Sequence, residues 1–124
     1  KGSATVTANL NGVNRKITIT VSAPAAKPTV KNLKISVARI KYGPNDMKTY
    51  YTLKFTNTSA KTITTAKVQI ITGSGIYDQM YWTKNLTLNL KPGKTMTKTY
   101  FIQNMVQAPE KSDISVKCLK ISWK

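Results

Sequence analysis

The chain predicts an all-β fold, a β-sandwich of about seven strands preceded by a separate β-hairpin. Three observations predict it. Apolar and polar residues alternate over most of the 124 residues, and no helix-period stretch of useful length interrupts them. Turn signals such as Asn-Gly, Gly-Ser-Gly and Pro-Gly recur at the spacing of sandwich strands. A stretch rich in proline and alanine, SAPAAKPT at 22–29, breaks the alternation and divides the chain. The division gives a hairpin at 1–23, a linker at 24–29 and a sandwich domain at 30–124.

The hairpin is the best-specified element. Ala4, Val6, Ala8 and Leu10 share one face of a first strand, and Ile17, Ile19 and Val21 share one face of a second. Asn11-Gly12 between them is the strongest two-residue hairpin signal. Folding there sets Leu10 against Val13, Val6 against Ile17 and Ala4 against Ile19, with all apolar groups on one side. A two-stranded hairpin is marginal in water, so this face is expected to be buried against the second segment or a second copy of the chain. The homodimer through 1–23 belongs to that expectation.

In the sandwich, the strand at about 30–41 turns Leu33, Ile35 and Val37 inward. The next, 49–57, buries Tyr51, Leu53 and Phe55 and exposes Tyr50, Thr52, Lys54 and Thr56. After a turn at 57–61, the strand at 62–72 points Ala66, Val68 and Ile70 inward. Gly73-Ser74-Gly75 stops it. A short aromatic segment, Ile76 to Trp82, then precedes a strand carrying Leu86, Leu88 and Leu90. Lys91-Pro92-Gly93-Lys94 suits a type II turn into the strand at 95–103. In the last strand, 114–123, the apolar phase slips between Cys118 and Leu119, which predicts a β-bulge. Strand number and spacing together point to an immunoglobulin-like sandwich.

Composition bounds the function. Hydrophobic residues make up 40%, enough for one core and too many for a disordered chain. No apolar run approaches a membrane span, so membrane insertion is not expected. The chain opens on Lys1-Gly2-Ser3 without a signal peptide, which reads as a piece of a longer protein. Twenty Lys and Arg face four acids, Asp46, Asp78, Glu110 and Asp113, for a formal charge of +16. Only Arg15 and Arg39 are arginines, too few for specific reading of nucleic acid.

Histidine is absent, which removes Ser-His and Cys-His nucleophile pairs and histidine metal sites. The acids are scattered, and no pair is singled out as a catalytic dyad. No catalytic residue, metal site or cofactor is therefore assigned, and the chain reads as a non-enzyme. Asn45-Asp46 is better explained as a polar turn than as a calcium ligand set. Cys118 sits in the inward phase of its strand and reads as a small buried hydrophobe.

Two surface candidates stand out. Tyr77, Tyr81 and Trp82 beside Lys84 offer aromatic faces for a sugar, peptide or base, against the alternative that Trp82 and one tyrosine cap the core. Lys34, Lys54, Lys67 and Lys117 occupy outward strand positions and could form stripes that attract polyanions in a salt-sensitive way. A solvated surface that resists aggregation explains the same lysines.

The hairpin GSATVTANLNGVNRKITITVSAP resembles the C-terminal strands of bacterial immunoglobulin-like domains of the second group. The likeness covers about a fifth of the chain and lacks the earlier strands, so the hairpin reads as the remnant of a truncated domain. The second segment resembles the immunoglobulin-like modules of Gram-positive surface proteins and lipoproteins named after an FxLYD motif. It does so in YYTLKFTNTSAKTI at 50–63, in Ile76-Tyr77-Asp78 and in LKPGKTMTKTYFI at 90–102. The resemblances imply a secreted or cell-wall-attached bacterial protein whose modules serve as stalks, spacers or adhesive units. In that setting the expected partners are an anionic cell-wall polymer, which the outward lysines would attract, or a host glycan or protein.

Overall fold

A computed structural model describes residues 2–43, 48–73, 79–103 and 110–124. Asn11 and Gly12 take φ of 51° and 79°, the pair of positive values a type I′ turn requires. Around that turn β1 (Gly2–Leu10) and β2 (Val13–Val21) pair antiparallel in the expected register, Leu10 with Val13, Val6 with Ile17 and Ala4 with Ile19.

The expected cover over the hairpin's apolar face does not come from the sandwich. Every residue from Gly2 to Ala26 is exposed, Leu10 at 76% and Ile17 at 58%. The linker explains this. Pro24 and Pro28 favour extended backbone before and within it, and no turn residue folds the hairpin back. Burial begins at Pro28, just ahead of a 3₁₀ turn at Val30–Asn32.

The remaining strands form two three-stranded antiparallel sheets. One has the order β3 (Leu33–Tyr42), β4 (Lys48–Asn57), β7 (Thr95–Gln103). The other has the order β6 (Met80–Leu90), β5 (Ile63–Thr72), β8 (Ile114–Trp123). The chain is thus an all-β sandwich, with six sandwich strands among the described residues. The count falls short of seven because part of the aromatic segment and the leucine strand are one element. No turn residue separates Trp82 from Leu86, so β6 runs through both.

The period-two pattern fills the space between the sheets. Tyr51, Leu53 and Phe55 of β4 are fully buried, as are Val68 and Ile70 of β5, with Leu86, Leu88 and Leu90 of β6 closing over them. Two bulges adjust the edges. Lys67 pairs with Lys120 and Val68 with Cys118, so Leu119 is the extra residue, where the slip in apolar phase predicted one. In β3, Val37 pairs with Leu53 and Arg39 with Thr52, which leaves Ala38 as a second extra residue.

One end of the sandwich is fastened by Asn57. Its side chain is fully buried and satisfied on both sides. Nδ2 donates to the carbonyls of Lys61 and Leu90, at 2.8 Å each. Oδ1 accepts from the Ser59 backbone N–H at 2.9 Å and the Ser59 hydroxyl at 2.7 Å. The Asn57 backbone meets the β6–β7 turn: its N–H donates to the Lys94 carbonyl, and its carbonyl accepts from Gly93 N–H. That turn has Gly93 at φ 68° and a Lys94 N–H to Lys91 carbonyl bond of 3.1 Å, consistent with the expected type II geometry. Asn57 therefore ties β4 to the start of β5 and the end of β6, across both sheets.

The seam between edge strands β6 and β7 is held by lysines on inward positions. The Lys98 ammonium donates to the Thr87 carbonyl, and Lys84 Nζ lies 6.0 Å from the Tyr100 ring centroid. Inward-pointing charges of this kind discourage a further strand from adding at an edge.

Two outcomes follow for stability. Asn57→Ala leaves two carbonyls without their donor and is expected to lower the unfolding free energy by about 2–4 kcal/mol. Urea denaturation followed by tryptophan fluorescence measures it, since Trp82 and Trp123 both lie in the sandwich strands. A loss below about 1 kcal/mol would contradict the role given to Asn57. Ile17→Thr, by contrast, is expected to leave that transition unmoved, because its side chain packs on nothing in the sandwich; a shifted midpoint would show otherwise.

Candidate polyanion-binding surface

Charge is partitioned along the chain in a way the fold makes spatial. None of the eight strands contains an Asp or Glu, while lysine or arginine occurs in seven of them. Glu110 and Asp113 sit in the connection before β8. There the Glu110 N–H donates to the Asp113 carboxylate and the Asp113 N–H to the Glu110 carbonyl. Asp46 and Asp78 lie outside the described residues. Among the described residues, no group of three or more His, Cys, Asp or Glu comes together as a metal site.

The expected lysines are all exposed, but on two opposite faces. On the outer face of β3–β4–β7, Lys34 stands opposite Thr56 and Lys54 stands between Ser36 and Thr97. On the outer face of β6–β5–β8, Lys67 stands between Asn85 and Lys120, and Lys117 lies opposite Gln69. Lys34 and Lys54 are thus neighbours, Lys67 and Lys117 are neighbours, and the core separates the pairs.

Lys67 and Lys120 are direct cross-strand partners. Like charges so placed repel, and a bound anion would relieve them. Lys120 escaped sequence reasoning because the bulge at Leu119 changes the phase just before it. The apolar slip that revealed the bulge was the available signal.

Of the aromatic candidates, Tyr81 and Trp82 do not share a face. Tyr81 and Trp82 are consecutive in β6, so their side chains leave opposite faces. Trp82 shares the inner side with Lys84 and packs against the core. Its Nε1 is buried without a hydrogen-bond partner. Tyr81 is exposed, and its hydroxyl donates to Gln79 Oε1 at 2.7 Å. Tyr77 lies outside the described residues.

A different aromatic and basic group occupies the outer face of β3–β4–β7. A shallow groove there is lined by Arg39, Lys41, Tyr42, Gly43, Tyr50, Thr52 and Thr99. Thr52 and Thr99 hydroxyls bond each other at 2.9 Å across its floor. Phe101 stands beside Tyr50 with centroids 6.0 Å apart and planes at 49°, and Lys48 Nζ sits 5.0 Å over the Phe101 ring. Phe101 is half exposed on this face. The outward phase of Tyr50 was legible in the sequence; the bulge at Ala38, which turns Arg39 and Lys41 to the same side, was not.

Cys118 is half-buried, and burial pushes its thiol up from the ordinary 9.0, while its S–H donates to the Lys120 carbonyl at 3.6 Å. A raised value means less thiolate at a given pH. Alkylation by iodoacetamide at pH 8 is expected to be slower than for a free thiol, and to keep rising with pH after the free thiol has levelled off. A rate equal to the free thiol's would contradict this environment.

A scan against protein-family models, a search of curated proteins and a search of solved structures each found no match to this chain.

Proposed function

We propose that the chain is a non-catalytic immunoglobulin-like binding module that adheres to an anionic polymer outside a bacterial cell. One observation carries the reading. Every described strand is free of acids while lysines populate both outer faces, so the strands offer an approaching polyanion a single sign of charge on either face. Lysine is a compact, hydrated point charge, suited to an attraction that follows charge density and ignores sequence. The bacterial, extracellular setting rests on the resemblance of residues 1–23 and 50–102. An anionic cell-wall polymer or a host glycan is the partner class that setting supplies. A purely structural role as a stalk is the competing reading.

Retention on heparin and teichoic-acid resins tests it. Binding is expected at low salt. With four contacts to a polymer of DNA-like charge density, it should fall about 100-fold between 50 and 200 mM salt. Replacing Lys34, Lys54, Lys67 and Lys117 with glutamine should move elution to lower salt. Elution of the unaltered protein in the low-salt wash would leave only the passive stalk.

A further inference from the structure

We infer that the groove on the outer face of β3–β4–β7 is a subsite for an acidic sugar, a ring bearing sulfate or carboxylate within a glycan chain. The inference rests on the polyanion reading and narrows it to one face and one ligand class. Four observations meet at this place.

The bulge at Ala38 comes first. β3 alternates inward at Leu33, Ile35 and Val37, and without an extra residue Arg39 would continue that inward phase. With the bulge, Arg39 pairs with Thr52 and Lys41 with Tyr50, and both face outward along one edge of the groove. Bulges commonly re-aim a side chain in this way. Arg39 is also the only arginine in the sandwich segment, and its planar fork suits the paired oxygens of a sulfate or carboxylate.

The aromatic rings come second. Tyr50 is in the central strand, where a side chain on the outer face has no protein layer above it, yet it lines the groove with Phe101 beside it. A ring in that position presents an apolar face of sugar size flanked by cations. Phosphate or sulfate alone has no use for it.

The groove floor comes third. The hydrogen-bonded hydroxyls of Thr52 and Thr99 retain capacity for further bonds, which sugar hydroxyls can fill as donors or acceptors. The end wall comes fourth. Gly43 donates its N–H to the Lys48 carbonyl at 2.8 Å, and a Cβ there would stand 3.3 Å from that oxygen and 3.5 Å from Tyr50 Cε2. The backbone closes against Tyr50 because no side chain intervenes. Cation, ring and hydroxyls together are the complement of an acidic sugar, whereas the lysines described on the outer face of β6–β5–β8, Lys67, Lys117 and Lys120, stand among Asn85 and Gln69.

Calorimetry with three probes separates the outcomes: a heparin hexasaccharide, linear polyphosphate of matched charge, and neutral maltohexaose. The hexasaccharide is expected to bind more tightly than polyphosphate, and maltohexaose not measurably. Tyr50→Ser should weaken the hexasaccharide about tenfold, the scale of one stacked ring, and leave polyphosphate within twofold. Arg39→Gln with Lys41→Gln, both on an exposed edge, should weaken the hexasaccharide more than Lys67→Gln with Lys117→Gln on the opposite face. Amide shifts of the unaltered protein with the hexasaccharide should centre on Tyr50, Thr52 and Thr99, which guards against a variant that fails to fold. Equal binding of hexasaccharide and polyphosphate, no loss in Tyr50→Ser, or shifts spread over both faces would overturn the subsite and leave the polyanion reading standing. Absence of binding to either anion would overturn both.

Discussion

The buried amide of Asn57 is the constraint on which the sandwich depends. Two sheets facing across a core of Leu, Ile, Val and aromatic side chains are held by non-directional forces, which set distance better than register. Asn57 supplies direction. Its four side-chain hydrogen bonds and two backbone bonds fix the end of β4 to the β4–β5 turn, the end of β6 and the β6–β7 turn. Thr58 extends the junction, with its N–H and hydroxyl both donating to the Asn32 carbonyl at the entrance to β3. Four connected segments meet at one residue, and a buried amide that lost any of these partners would bear the full cost of its desolvation.

With that end fixed, the chain can present two faces whose strands carry lysines and no acids. Such an arrangement opposes compaction through self-repulsion, seen locally where Lys67 faces Lys120. The fold tolerates it because the lysines stand on outer strand positions in water. Lys98, on an inward position at an edge, finds the Thr87 carbonyl instead of a carboxylate. Surface repulsion of this kind keeps copies apart, and it also makes the molecule ready to take up a polyanion. The hairpin stands outside this balance. Its turn and register are complete, while its apolar face is not covered by the rest of its own chain.

Much of this was legible in the sequence, for reasons that can be named. Asn11-Gly12 has one favoured geometry, so the hairpin register followed. Alternation in 49–57 and from Ala66 to Ile70 separated inside from outside residue by residue, because both strands are central; the register shift between Ile63 and Thr65 lies ahead of the second stretch. The broken phase at Cys118-Leu119 marked its bulge. Ala38 left no such mark, since alanine suits either face, and with it the orientation of Arg39 and Lys41 was hidden. Tyr81 and Trp82 are consecutive in β6 and diverge to opposite faces, and Trp82 packs against the core, the alternative the sequence also offered. Asn57 looked like an ordinary turn residue. Its acceptors at Lys61 and Leu90 include one 33 residues away, beyond the reach of local pattern.

Native-state amide hydrogen exchange tests the central role of Asn57 most directly. The Ser59 and Gly93 amides lie in turns, where exchange is ordinarily fast, but one donates to the Asn57 side chain and the other to its backbone. They are expected to exchange as slowly as the core amides of Leu53 and Val68, opening only when the whole sandwich unfolds. Exchange of Ser59 and Gly93 at the rate of an exposed loop, with Leu53 and Val68 still protected, would contradict it.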